Sequence, residues 1–166
     1  MCIRDRNNGT IEKTESRKQT EVIIVDVLTR LFSRTETFKN GGAWGPIDLW
    51  TNKTRYRRPD LSIFFAQQVA KMSKGENQIA QWIGEIISPS DTAEQINKKL
   101  IEYFTAGVKC VWHIYSKSEQ VHVYTSLDNI TICRGSRICS AKPALADFEI
   151  SASDIFAYKK LLKKKA

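Results

Sequence analysis

The sequence predicts an α/β domain built on a mixed central β-sheet flanked by helices. Three observations carry that class. The apolar spacing changes along the chain from helical to strand-like and back, in the order helix, strands, helix, strands. Two short runs rich in β-branched and aromatic residues, Leu61 to Phe65 and Trp82 to Ile87, precede a strongly capped helix. Three further strand-like runs follow that helix, separated by short polar turns that suit antiparallel hairpins. At 166 residues, with 42% apolar and 27% charged side chains, the chain is long enough for one core and has an ordinary globular composition.

The elements follow in order. Residues 16–32 place Val22, Ile23, Val27, Leu28, Leu31 and Phe32 at a spacing near 3.6, which predicts an amphipathic helix that Ser16 could cap. Gly41, Gly42, Gly45 and Pro46 then read as a loop, and their spacing matches neither a P-loop nor a dinucleotide fingerprint. After the Leu61 to Phe65 strand comes a polar connection without a clear pattern, and then the strand Trp82 to Ile87. Asp91 and Glu94 form a capping box for the next helix, which Gly107 stops. Cys110 to Tyr115, Gln120 to Thr125 and Asn129 to Cys133 read as strands, and a short helix from Ser153 runs into a lysine tail.

No stretch approaches the roughly 18 apolar residues that a membrane span needs, and the start lacks the apolar core of a secretory signal, so the expectation is a cytoplasmic protein with no membrane partner. Cys2, Cys110, Cys133 and Cys139 form no CxxC pair, and only His113 and His122 could assist a zinc site, so reduced thiols are expected. His122 alternates with Val121 and Val123 and is expected to face solvent, whereas His113 reads as a strand residue. The four tryptophans are scattered and read as packing residues.

Charge suggests a partner. Lys and Arg outnumber Asp and Glu by 26 to 18, a formal +8 that points to a polyanion. Five of those charges are Lys159, Lys160, Lys163, Lys164 and Lys165, a terminal run that reads as a solvated end, and setting them aside leaves about +3. Lys53, Arg55, Arg57 and Arg58 form a second cluster that runs into Pro59 and Asp60, where it could hold a phosphate backbone.

Three residues offer chemistry. Asp60 opens one strand, and Glu85 lies among Ile83, Gly84, Ile86 and Ile87 in another, where an ionised carboxylate is costly without a cation. An arginine could supply that cation, or a divalent metal shared with Asp60, since hard ions take one or two carboxylates plus water and phosphate oxygens. On the helix after Glu85, advancing about 100° per residue from Ile96 puts Leu100 near 40° and Tyr103 near −20°. Lys99 then falls near −60°, beside the apolar stripe, while Lys98 falls near 200°, facing solvent. Lys99 can therefore reach over the stripe toward the sheet that bears Glu85.

The runs Arg57-Arg58-Pro59-Asp60-Leu61-Ser62, Gly84-Glu85-Ile86-Ile87-Ser88-Pro89-Ser90-Asp91 and Lys99-Leu100-Ile101-Glu102-Tyr103, followed by Ala106-Gly107-Val108 and Val111-Trp112, resemble the Uma2 family. This is a bacterial group of endonucleases in the PD-(D/E)XK, or restriction-endonuclease-like, superfamily, and the likeness runs from about Asn8 to Phe156. The resemblance implies Asp60 and Glu85 as metal ligands, Mg2+ or alternatively Mn2+ as cofactor, and DNA as substrate. The superfamily's usual lysine two positions after the acidic residue is replaced here by Ile87. The known alternative, a lysine on the neighbouring helix, corresponds to Lys99.

That resemblance sets further expectations. The chemistry is phosphodiester hydrolysis by a metal-activated water. A free lysine has a pKa near 10.4, and service as a neutral base near pH 7 would cost about 4 kcal/mol, so Lys99 is expected to act as a cation that orients water and stabilises phosphate charge. The alternative is a catalytically silent nucleic-acid-binding or interaction domain on the same fold. A two-fold dimer would suit cleavage of two strands, although no residue pattern demands it. Residues 1–6 read as a non-native leader, 7–156 as the nuclease-like domain and 157–166 as a basic tail. On that division the chain is a fragment lacking a family segment whose glutamate is a further acidic contributor.

Overall fold

A computed structural model describes residues 4–7, 10–13 and 19–157. Ser16 and the lysine tail lie outside the described residues. The chain opens with β1 (Arg4–Asn7), β2 (Thr10–Lys13), α1 (Gln19–Phe32) and α2 (Glu36–Lys39). Next come β3 (Ala43–Gly45), β4 (Leu49–Trp50), β5 (Tyr56–Arg57), β6 (Leu61–Phe64), α3 (Ala66–Met72) and β7 (Trp82–Ile86). The second half comprises α4 (Ala93–Ala106), β8 (Cys110–Tyr115), β9 (Gln120–Tyr124), β10 (Ile130–Arg134), β11 (Ile138–Ser140), β12 (Glu149–Ser151) and α5 (Ala152–Ile155).

The centre is a six-stranded mixed sheet in the order β10-β9-β8-β7-β6-β3. β7 and β8 run parallel, with Glu85 opposite His113, because α4 forms the crossover between them. The other pairs are antiparallel, including the hairpins that join β8, β9 and β10. A four-stranded sheet in the order β2-β1-β5-β4 and a β11-β12 pair lie beside it.

Strand alternation divides the buried side chains between two faces. Leu61, Ile63, Trp82, Ile86, Cys110, Trp112, Ile114, Val121, Val123 and Cys133 join Ile24, Leu28 and Phe32 of α1 and the 139–156 segment in the larger cluster. Within it Trp44 stacks on Trp82 at 5.6 Å, and Trp82 meets Trp112 edge-on at 5.2 Å, so three of the four tryptophans are packing residues. The opposite face places Phe64, Ile83 and Val111 against Leu100 and Tyr103 of α4. Gly84, next to the Glu85 carboxylate, is required by this packing: a Cβ there would lie 2.6 Å from the Trp82 indole.

Several elements differ from the expectation. The buried stripe of α1 is Ile24, Leu28 and Phe32, whereas Val22 is exposed. The glycine-rich segment contributes β3, which pairs with β6, since an edge strand needs little side-chain packing on its outer side. The polar connection after β6 contains α3, whose buried residues are none, so its apolar stripe was too thin to read. The helix α4 is capped by Thr92, whose hydroxyl accepts from Gln95 N while the Gln95 side chain accepts from Thr92 N, rather than by Asp91 and Glu94. Gly107 closes it with φ 104°, as a C-cap glycine does. β11 and β12 precede the final helix, which begins at Ala152 under a Ser151 cap. Cys110, Cys133 and Cys139 are buried free thiols.

Candidate functional site

Asp60 stands at the bend before β6, held there by Pro59 and by the antiparallel register that sets Leu61 opposite Gly84. The same register carried one step further brings Asp60 opposite Glu85. Its Oδ2 accepts a 2.8 Å hydrogen bond from Ile86 N, which ties the carboxylate to the end of β7. Glu85 is 7% exposed and shares its sheet face with Ile83, so it projects toward α4.

The helix answers with two side chains one turn apart. Tyr103 is fully buried, and its hydroxyl donates to Glu85 Oε1 at 2.5 Å. Lys99 Nζ lies 4.0 Å from the same oxygen, with its side chain 26% exposed, while Lys98 points outward. The i,i+4 spacing of Lys99 and Tyr103 puts both over one patch of sheet. A carboxylate in an apolar strand thus receives a hydroxyl and an ammonium.

Glu85 and Lys99 line one pocket with Asp91, Gln95 and His113, closed by Ile86, Ile87 and Ile96. Asp60 is not part of that wall and approaches β7 from the β6 side. Asp91 holds the preceding turn, its Oδ2 accepting from Ser88 N at 2.8 Å. His113 is buried, and its Nδ1 has no hydrogen-bond partner. Burial, reinforced by the charges of His122 and Lys99, pushes the imidazole down to about 4, so it is neutral near pH 7. Sequence reasoning read His113 only as a strand residue. Its place in the pocket follows from the parallel β7-β8 register, a long-range fact. His122 is half-buried against Tyr115 at 4.5 Å and part-exposed on the open side of the sheet, and burial followed by the Arg134 charge lowers its pKa.

The arginines of the basic cluster are paired with carboxylates. Arg57 is 2% exposed and donates through Nε to Glu102 Oε2 at 2.7 Å and through Nη2 to Oε1 at 3.1 Å. Arg55 Nη1 donates to the same carboxylate at 2.7 Å, and Arg58 grips Asp48 through two bonds of 2.6 and 2.9 Å. Arg57 therefore ties the lead-in of β6 to α4 and is buried away from any passing phosphate. Lys53 is exposed.

Among the described residues no group of three or more His, Cys, Asp and Glu side chains is arranged to hold a metal. The pair Asp60 and Glu85 does fit a hard divalent ion by its chemistry, since such ions accept one or two carboxylates and fill the remaining positions with water. No helix among the described residues is long and apolar enough to cross a membrane.

The family model Uma2, described as "Putative restriction endonuclease", matches residues 5–153. Among solved structures the chain is similar to "a putative nuclease belonging to DUF820" from Anabaena variabilis, with a TM-score of 0.75 and 16% identity over 93% of this chain and 90% of that one. At that identity the likeness is one of fold. No curated protein matches the chain.

Proposed function

The chain belongs to the Uma2 family, and from that membership we propose that it is a metal-dependent endonuclease that hydrolyses DNA phosphodiester bonds at Asp60, Glu85 and Lys99. The observation that carries this reading is the meeting of Lys99 Nζ with Glu85 Oε1 at 4.0 Å, beside a strand end to which Asp60 is hydrogen-bonded. The Lys99 ammonium faces one carboxylate, and a second carboxylate, that of Asp60, is tied to the next residue of the same strand.

Asp60 and Glu85 would hold the divalent ion, Mg2+ or Mn2+, which when bound supplies an acidified water and neutralises phosphate charge. The chain's own residues do the rest. Tyr103 fixes the rotamer of Glu85 by its hydrogen bond. Lys99, whose ammonium faces a carboxylate, would serve as a cation that orients the attacking water and stabilises charge that grows on the phosphate. Ile87 and Ile96 keep one side of the pocket apolar and thereby strengthen those interactions.

Plasmid nicking tests the proposal. The expected result is cleavage with Mg2+ that stops in EDTA and is lost in Asp60→Ala and Glu85→Ala. Undiminished nicking in both variants would refute the site.

A further inference from the structure

α4 covers only part of its face of the central sheet. The residue pairs Glu85 with His113, His113 with His122, and His122 with Ile132 run across β7, β8, β9 and β10 as one row. Side chains in such a row share a face, and so do the flanking rows of Tyr115, Gln120 and Arg134, and of Val111, Tyr124 and Ile130. Beyond Val111 the α4 packing thins, with Tyr124 only partly buried against it. Tyr115, His122 and Tyr124 are part-exposed, and Ile130 and Ile132 are 44% and 40% exposed.

The rings form a continuous strip. His113 meets Tyr124 at 4.9 Å, Tyr115 meets His122 at 4.5 Å, and His122 lies 6.5 Å from Tyr124. The strip begins at the pocket, because His113, whose ring meets Tyr124, lines it. No acidic side chain occupies this face on β8, β9 or β10. Arg134 donates through Nε to the neutral Gln120 amide at 2.8 Å, whereas Arg55, Arg57 and Arg58 are paired with carboxylates.

We propose that this half-covered face is a platform for an unpaired DNA strand, whose bases stack on Tyr115, His122 and Tyr124 while Arg134 meets the phosphates, leading the strand toward Glu85 and Lys99. The substrate class rests on the nuclease reading of that pocket. A π-face next to a cation, on strands β8 to β10 that carry no acidic side chain on this side, complements a polyanion with exposed bases, and the rows are continuous with the pocket. A duplex fits poorly, because its bases are stacked inside and present only their edges to a flat sheet.

Fluorescence anisotropy in EDTA reads binding without cleavage, using labelled oligothymidylate of about 20 nucleotides against a duplex of equal length. The single strand should bind at least about tenfold more tightly, and Tyr115→Leu and Tyr124→Leu should each weaken it by about tenfold. Arg134→Gln, a change at an exposed position that does not depend on refilling the sheet face, should reduce the salt dependence by about one ion. A duplex bound as tightly as the single strand, folded tyrosine variants that bind unchanged, or an unaltered salt dependence in Arg134→Gln would each overturn the platform. The two readings fail differently. Tyrosine-dependent binding without Mg2+-dependent nicking would sink the nuclease and spare the platform, whereas nicking with tyrosine-independent binding would do the reverse.

Discussion

The Tyr103 hydroxyl and Glu85 Oε1 lie 2.5 Å apart, so the helix that brings Lys99 to the pocket also fixes the carboxylate that Lys99 faces. Removing the hydroxyl alone keeps the buried ring and deletes the bond. Tyr103→Phe should cost about 1 to 3 kcal/mol of stability and lower the nicking rate by about tenfold, read by urea unfolding and by plasmid relaxation. Wild-type rates in a variant of that lowered stability would show that the hydroxyl serves packing alone.

Lys99 separates a base from a cation. If it works as a charge, Lys99→Arg should keep a substantial share of the nicking rate, while Lys99→Ala should lose at least about a hundredfold. An arginine variant as inactive as the alanine variant would favour proton abstraction by the lysine.

The Arg55, Glu102 and Arg57 group is a stability element. Glu102→Ala removes the carboxylate that both guanidiniums share, and with Arg57 2% exposed the loss should be about 3 to 5 kcal/mol, or about 10 °C in Tm for a domain of this size. Thermal unfolding followed by circular dichroism measures it. A shift of under about 2 °C would mean that the pair is offset by its own desolvation.

His113 makes stability depend on pH with a definite sign. Its folded pKa, about 4, lies below the unfolded value of about 6.5, so between them the unfolded chain binds the proton first and the native state is disfavoured. Stability is therefore full above about pH 6.5 and falls toward pH 4, by about 3 kcal/mol at most. Denaturant unfolding at neutral and acidic pH should show a smaller loss in His113→Leu than in the wild type. Identical pH dependence would contradict the assignment.

Local pattern carried the reading of the sheet, of α4 and of Lys99 over Lys98, because strand alternation and the 100° helical step are properties of neighbours in sequence. Long-range pairing was hidden. The basic run at 53–58 looks like a phosphate cradle until Glu102, 45 residues from Arg57, and Asp48 are seen on its guanidiniums. His113 could not be placed in the pocket without the β7-β8 register, and the same register reveals the strip of Tyr115, His122 and Tyr124. α3 escaped because it is only seven residues long and buries no residue fully.

The central claim is that Asp60 and Glu85 together hold a divalent cation in a nuclease site. Crystals soaked in Mn2+ and measured near the manganese absorption edge test it most directly. An anomalous peak bounded by the Asp60 and Glu85 carboxylates, absent from Glu85→Gln crystals, is the predicted result. A fully soaked crystal with no peak between those two residues would contradict the account.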